Sequence, residues 1–424
     1  METLLANEKI YKPQMEAVED AAERISKVVV KTPLADSFTY SKRYDARILL
    51  KREDLQQVRS YKIRGAYNKI SSLPQEQLDK GVICASAGNH AQGVAFACNK
   101  LQAKGVIYMP ITTPRQKVEQ TQMFGGEWVE VILKGDTFDD SYKNAMKHGD
   151  KFGQVFIHPF DDEKVIEGQA TIGLEILEQA DAPIDYVFAP LGGGGLLAGI
   201  SSVFKQLSPN TKIIGVEPEG AASMTSSLKE GKVVELAQIE RFVDGAAVQK
   251  VGSRNFAICK ENLDKMVTVP EGKICQTILD LYNQDAIVVE PAGAMAICAL
   301  DSFAEEIRGK NVVCIVSGSN NDITRTAEIK ERALLYRGLK HYFIISFPQR
   351  AGALKEFVAK VLGPNDDITH FEYSKKHHRE NGPAVVGIEL NDPADFEPLV
   401  DRMKKKNFYG EYLNDKPNLF QFLV

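Results

Sequence analysis

Short β-branched runs alternate with longer stretches of helical periodicity through most of this chain. The runs at 82–85, 105–109, 186–189, 213–216 and 312–316 are continuous and apolar, as strands covered on both faces are. Three of them lead into helical patterns, at 88–99, 114–124 and 196–207, and a further amphipathic helix is predicted at 14–27. Strand, crossover helix, strand is the order of a mostly parallel sheet, so the fold class is α/β. The pattern changes after Arg337. Strands are predicted at 341–347, 368–373 and 383–390, helices at 352–362 and 394–405, and a closing strand at 419–424. That is the strand-helix-strand-strand-helix-strand order of a ferredoxin-like α+β domain. A charged, helical segment at 325–340 joins or docks the two parts. A length of 424 residues is too great for one ordinary core, so two or three domains are expected.

A net charge of −5 does not suit a nucleic-acid binder. No run of about 18 apolar residues predicts a membrane span. Residues 1–8 lack the basic and apolar parts of a signal peptide. A cytoplasmic location, with neither membrane nor nucleic acid as partner, is the expectation. The six cysteines, Cys84, Cys98, Cys259, Cys275, Cys298 and Cys314, are scattered and form no CxxC pair. Buried free thiols are expected rather than disulfides or a zinc site.

One lysine and three strand-end turns carry the chemistry. Ser60-Tyr61-Lys62-Ile63-Arg64-Gly65 places a lysine by a backbone turn, after the strand-like run at 47–53. A desolvated lysine amine has a lowered pKa, which suits it to form a Schiff base and then act as a base. Ser86-Ala87-Gly88-Asn89-His90-Ala91-Gln92-Gly93 follows a strand and opens a helix. Amides exposed there suit an anion such as an α-carboxylate; a simple capped turn is the alternative. Gly192-Gly193-Gly194-Gly195-Leu196 also follows a strand and opens a helix. Four glycines in a row are costly in backbone entropy, and they fit a site where N–H groups converge on phosphate. No Gly-Lys-Ser/Thr follows, so this is not a P-loop. Glu217 lies near the spacing of a dinucleotide-binding acid, which leaves a nucleotide reading open beside that of a flexible loop. Ser317-Gly318-Ser319-Asn320-Asn321 ends another buried strand. Its Ser317 hydroxyl suits a heterocyclic nitrogen, or the turn is merely capped. A phosphate, a reactive carbonyl and a ring nitrogen together describe pyridoxal 5′-phosphate.

On these motifs the chain resembles the tryptophan synthase β-like pyridoxal-phosphate enzymes and, within them, the biosynthetic threonine dehydratases, from about residue 15 onward. Phe347-Pro348-Gln349-Arg350-Ala351-Gly352-Ala353-Leu354 and Gly363-Pro364-Asn365-Asp366-Asp367-Ile368 resemble the ACT-like regulatory domain of those enzymes. The resemblance implies a two-lobed, open-sheet catalytic domain over 1–325, its smaller lobe at roughly 50–155. A linker at 326–338 and an ACT-like domain over 339–424 would follow. It implies that Lys62 is the Schiff-base lysine and that Asn89 bonds the ring hydroxyl. Gly192, Gly193, Gly194, Gly195 and Leu196 would cradle the phosphate, and Ser317 would meet the pyridine nitrogen. Ser86, Asn89 and His90 would hold the substrate carboxylate. The implied reaction converts L-threonine, with L-serine second, to a 2-oxoacid and ammonia. For threonine that acid is 2-oxobutanoate, the first step of isoleucine biosynthesis, and Lys62 is the base at Cα.

The same resemblance implies isoleucine as inhibitor and valine as activator, Arg350, Gly352 and Leu354 as effector-site candidates, and a homotetramer. Racemases of the family carry a second serine where this chain has Ala87, so elimination is expected over racemisation. Ser223 stands where metal-binding relatives have an acid, so no metal is expected; Glu217 is kept as a cation-ligand candidate. Three rivals stand beside this reading. A catabolic dehydratase or β-replacement enzyme lacks a role for the C-terminal part. A nucleotide-dependent oxidoreductase leaves Lys62 unexplained, and a non-catalytic amino-acid sensor has no use for it.

Overall fold

The continuous apolar runs are the central strands of two sheets. The computed structural model describes residues 11–373 and 380–416, which fall into two units, Met1–Asp322 and Ile323–Val424. The larger sheet of the first unit runs Leu34–Asp36, Arg47–Arg52, Asn311–Val316, Tyr186–Pro190, Lys212–Pro218, Lys265–Val269. Only its edge strand Leu34–Asp36 is antiparallel. The smaller sheet is wholly parallel, in the order Val129–Leu133, Gly105–Met109, Val82–Ala85, Val155–Phe156. It forms a lobe inserted between two strands of the larger sheet. Residues 82–85 and 312–316 are buried throughout, as their unbroken hydrophobicity requires. All six cysteines are buried, and none of them is in a disulfide. No described helix is long and apolar enough to cross a membrane.

Two helices frame the lysine motif. Lys62–Ser71 crosses Glu163–Gln179 at Gly65 and Gly168. A Cβ on Gly65 would lie 2.4 Å from Gln169 Nε2 and 2.8 Å from the Val165 carbonyl oxygen. One on Gly168 would lie 2.7 Å from the Arg64 carbonyl oxygen. Beside the crossing, Arg64 is fully buried. Its guanidinium donates to both oxygens of Glu53, at 2.8 Å each, and to both of Glu175, at 2.7 and 2.9 Å. Lys51 donates to Glu175 at 2.6 Å. A buried network of this kind fixes geometry more than it adds net stability.

In the second unit the strand order is Asp367–Tyr373, Asn381–Glu389, Lys340–Pro348, Tyr409–Tyr412, antiparallel throughout. Phe343, Ile345 and Phe347 alternate along one strand and pack on Phe357, Leu399 and Met403, from the helices Ala353–Lys360 and Phe396–Lys405. This is the ferredoxin-like arrangement. The strand predicted at 419–424 lies outside the described residues, and the sheet's fourth strand is Tyr409–Tyr412, paired with Lys340–Pro348. Of the segment predicted to link the domains, Thr326–Tyr336 is a helix that groups with this unit. Its Glu331 accepts a bond from the Tyr342 hydroxyl at 2.6 Å.

Candidate active site

Lys62, Ser86, Asn89, His90, Gly192 and Ser317 line one cavity of about 530 Å³. It lies beyond the carboxyl ends of Val82–Ala85, Tyr186–Pro190 and Asn311–Val316, where open α/β sheets bind ligands. Lys62 is the first residue of its helix. The turn before it is tied to the larger sheet: Ser60 bridges Gly318, and the Tyr61 amide donates to the Ser317 carbonyl at 3.2 Å. Lys62 Nζ donates to the Pro159 carbonyl at 2.9 Å and sits 5.3 Å from the Tyr61 ring centre. Burial lowers its pKa from 10.5 to about 8, against the opposing pull of Glu290. An amine so placed is a competent nucleophile and base near neutral pH.

The helix Asn89–Leu101 begins at the cavity wall with Gly88 as its cap. Ser86 Oγ accepts from the Gly88 amide at 3.3 Å. The leading amides of such a helix are free for an anion. His90 offers its amide there but not its ring. Its Nε2 bonds the Ile157 carbonyl at 2.9 Å, and a carbonyl only accepts, so the proton is on that nitrogen. Burial first, and then Lys62, push its pKa down to about 3. The ring is therefore neutral, with no second N–H for a carboxylate.

The glycine loop is shaped by its walls. A Cβ on Gly193 would fall 2.2 Å from the Phe160 ring, and one on Gly192 would be 2.9 Å from Ala246 Cα. Gly194 has φ of +92° and caps the helix Gly195–Leu207. Asn255 Nδ2 holds the loop by the Gly193 carbonyl at 2.8 Å. Gly193, Gly194, Gly195 and Leu196 form this loop and helix start behind the cavity wall, whereas Gly192 lines it. No protein acceptor faces the loop amides among the described residues.

Glu290 was not among the residues singled out from sequence. It is 5 % exposed and lines the same cavity. Its Oε1 accepts from Asn89 Nδ2 at 2.7 Å and its Oε2 from the Asn320 amide at 3.2 Å. Asn320 Nδ2 in turn donates to Asn89 Oδ1 at 2.7 Å. Burial raises the Glu290 pKa to about 7. The available signal was a lone acid heading the run Pro291-Ala292-Gly293-Ala294-Met295-Ala296-Ile297-Cys298. A helix apolar all round is buried, and an acid at its head must then be hydrogen-bonded.

Glu217 has both oxygens engaged, Oε1 by the Met224 amide at 2.7 Å and Oε2 by the Thr225 amide and hydroxyl at 2.8 and 2.7 Å. It anchors the helix Ser223–Glu230. No group of three or more metal-ligating side chains is found among the described residues. In the second unit, Arg350, Gly352 and Leu354 lie at the start of Ala353–Lys360, with Arg350 paired to Glu356.

The donor set fits pyridoxal phosphate: a lysine amine of lowered pKa, a helix start, a serine hydroxyl and an asparagine amide line one cavity, and the glycine loop reaches it at Gly192. Ser60 Oγ and Asn320 Oδ1, both buried, also lack a partner. The family model described as "Pyridoxal-phosphate dependent enzyme" matches residues 25–318. "C-terminal regulatory domain of Threonine dehydratase" matches 331–423. The chain is 58 % identical to L-threonine dehydratase biosynthetic IlvA of Halalkalibacterium halodurans, over 97 % of this chain and all of that one. It is 54 % identical to the protein of the same name from Bacillus subtilis, over 97 % of each. Among solved structures, the processed form of threonine deaminase isoform 2 from Solanum lycopersicum superposes with a TM-score of 0.71 at 44 % identity. That match covers 77 % of this chain and 96 % of the other. On its site geometry and these matches together, the chain belongs to the pyridoxal-phosphate dependent enzymes and carries the C-terminal regulatory domain of threonine dehydratase.

Proposed function

We propose that this protein converts L-threonine to 2-oxobutanoate and ammonia, the β-hydroxyl leaving as water and one water being taken up as the C–N bond hydrolyses, with L-serine as a poorer substrate. The observation that carries the reading is Lys62, a half-buried amine whose pKa is lowered to about 8 in a cavity that is also lined by the Asn89 helix start and by Gly192 of the glycine loop. The cofactor supplies an electron sink for the bond broken at Cα. Lys62 would hold it through the amine and, when not so engaged, its free amine would take the proton from Cα. Ser86 and the amides from Asn89 onward bind the substrate carboxylate. Asn89 would hold the ring oxygen, the Gly192–Leu196 loop the phosphate, and Ser317 the ring nitrogen. A serine there cannot hold that nitrogen protonated as an acid would, which favours prompt elimination. Ala87, in the cavity wall, brings no hydroxyl where racemases that the chain resembles carry a serine, which favours elimination over racemisation.

The catalytic region is 1–325, and the C-terminal region 339–424 is the site of feedback control by isoleucine, with valine opposing. Arg350, Gly352 and Leu354 are the effector-site candidates, in a cytoplasmic homotetramer. Product release from threonine and from serine, with and without isoleucine, tests the whole reading. Lys62→Ala should lower turnover by roughly 10³-fold or more while keeping the fold. Near-normal turnover in that variant would sink the assignment, and turnover indifferent to isoleucine would sink the regulatory part.

A further inference from the structure

We propose that Glu290 is a positioning residue for the Asn89 amide: closed into a hydrogen-bonded ring with Asn89 and Asn320, its carboxylate holds one hydrogen of Asn89 Nδ2 and so, together with Asn320, aims the other at the cofactor's ring oxygen. The inference rests on the proposed role of Asn89 at that oxygen.

The ring is formed by three segments remote in sequence. Asn89 heads the helix of the inserted lobe, Glu290 caps the helix Pro291–Cys298, and Asn320 follows the strand Asn311–Val316. Each bond in it has a fixed sense. The Asn320 amide is a backbone donor, so it requires an acceptor at Glu290 Oε2. Asn320 Nδ2, also held by the Val58 carbonyl at 2.9 Å, requires an acceptor at Asn89 Oδ1. That leaves Asn89 Nδ2 to face Glu290 Oε1. One of its hydrogens is spent there, and the second is left for an acceptor in the cavity. A deprotonated ring oxygen is such an acceptor. Backbone packs closely on this carboxylate: a Cβ on Gly318 would come within 2.6 Å of Glu290 Oε1 and one on Gly245 within 3.3 Å.

Only a carboxylate satisfies both donors. A glutamine offers one oxygen, and its NH₂ must then oppose either the Asn320 amide or Asn89 Nδ2. A protonated Glu290 has the same defect, one oxygen having become a donor. The charged and titratable groups around Glu290 are Asp244, which favours its neutral form, Lys117, which favours the ionised one, and Lys62 and Tyr61 across the cavity. With burial the largest influence, its pKa lies near 7. The hold of Glu290 on Asn89 Nδ2 thus depends on pH, although asparagine itself carries no titratable group.

The test is a pH titration of the cofactor's visible absorption band in the holoenzyme. The wild-type band should change in position or intensity with a midpoint near 7. Glu290→Gln should abolish that midpoint and weaken equilibrium cofactor binding by about ten-fold, the scale of one orphaned buried donor. If Glu290→Gln does not fold, Asn320→Ala opens the same ring from its other side and must move the same midpoint. A wild-type band that is constant from pH 6 to 8, or a midpoint that stays unchanged in both variants, overturns the proposal. A failure of the underlying reading looks different: Asn89→Ala would leave both the band and cofactor binding unchanged.

Discussion

Replacing Arg64 with methionine should be the most damaging single change outside the cavity. The substitution conserves length and apolar stem but removes a guanidinium bound to two carboxylates. Glu53 is fully buried and would keep Thr32, Gln56 and the more distant Lys51 as its only help. Breaking one side of a buried ion pair costs about 3–5 kcal/mol because the surviving charge stays unpaired. For a unit of this length, at about 2 °C per kcal/mol, the melting temperature should fall by roughly 6–10 °C. Acid dependence supplies the sharper check. Burial alone would raise the Glu53 carboxyl, but Arg64 outweighs it and holds the pKa below the ordinary value. A depressed folded-state pKa contributes stability that is present at neutral pH and is lost as pH falls through it. Without Arg64 burial prevails, the folded-state pKa rises above that of the unfolded chain, and protonation then relieves the variant. The gap in melting temperature between wild type and variant should therefore shrink from pH 7 to pH 5. Adding Glu53→Gln to Arg64→Met should recover at least about 1 kcal/mol by removing the orphaned charge. Scanning calorimetry of the holoenzyme reads all three. A drop under about 2 °C, or a gap independent of pH, would refute the reasoning.

Gly193→Ala sets a methyl group on the Phe160 ring, so the loop or the ring must move, at a cost of about 1–3 kcal/mol. Cofactor affinity measured by equilibrium dialysis should fall with little change in the circular dichroism spectrum, and Phe160→Ala should restore part of it. Capture of pyridoxal phosphate by the cofactor-free protein should accelerate from pH 7 to 9 with a midpoint near 8, the pKa to which burial lowers Lys62. A stopped-flow midpoint near 10 would show an unperturbed amine instead.

How much of this was legible depended on how local the signal was. The buried parallel strands were readable because burial on both faces leaves an unbroken apolar run, and Val82–Ala85 and Gly105–Met109 appear as predicted. The short strand Val155–Phe156 has too few residues to show a period. In the second unit, Tyr409–Tyr412 escaped because it is short, polar and carries Gly410. A Cβ on that glycine would lie 2.5 Å from the Ile344 carbonyl oxygen, and a glycine inside a strand argues against one. At the site, Lys62 and the turn residues stood out because strand-to-helix turns bear recognisable small residues. Glu290 did not, since its meaning lies in two partners 201 and 30 residues away. The reason for Gly65 was equally hidden: it answers to a helix a hundred positions further along the chain.

The packing around Lys62 has a consequence for precision. A Cβ on Gly93 would lie 3.1 Å from the Lys62 carbonyl oxygen, and Ala66 and Ile70 share one core with Ala91 and Val94. The lysine helix is thus pinned on two sides, to the helix headed by Asn89 through Gly93 and to Glu163–Gln179 through Gly65 and Gly168. The second of these neighbours shares a core with the helix that follows the glycine loop and with the strand that leads to Ser317. On the proposed function, the amine at the head of the lysine helix is therefore referenced at once to the turn that would anchor the substrate carboxylate and to the body that would hold the phosphate and the ring nitrogen.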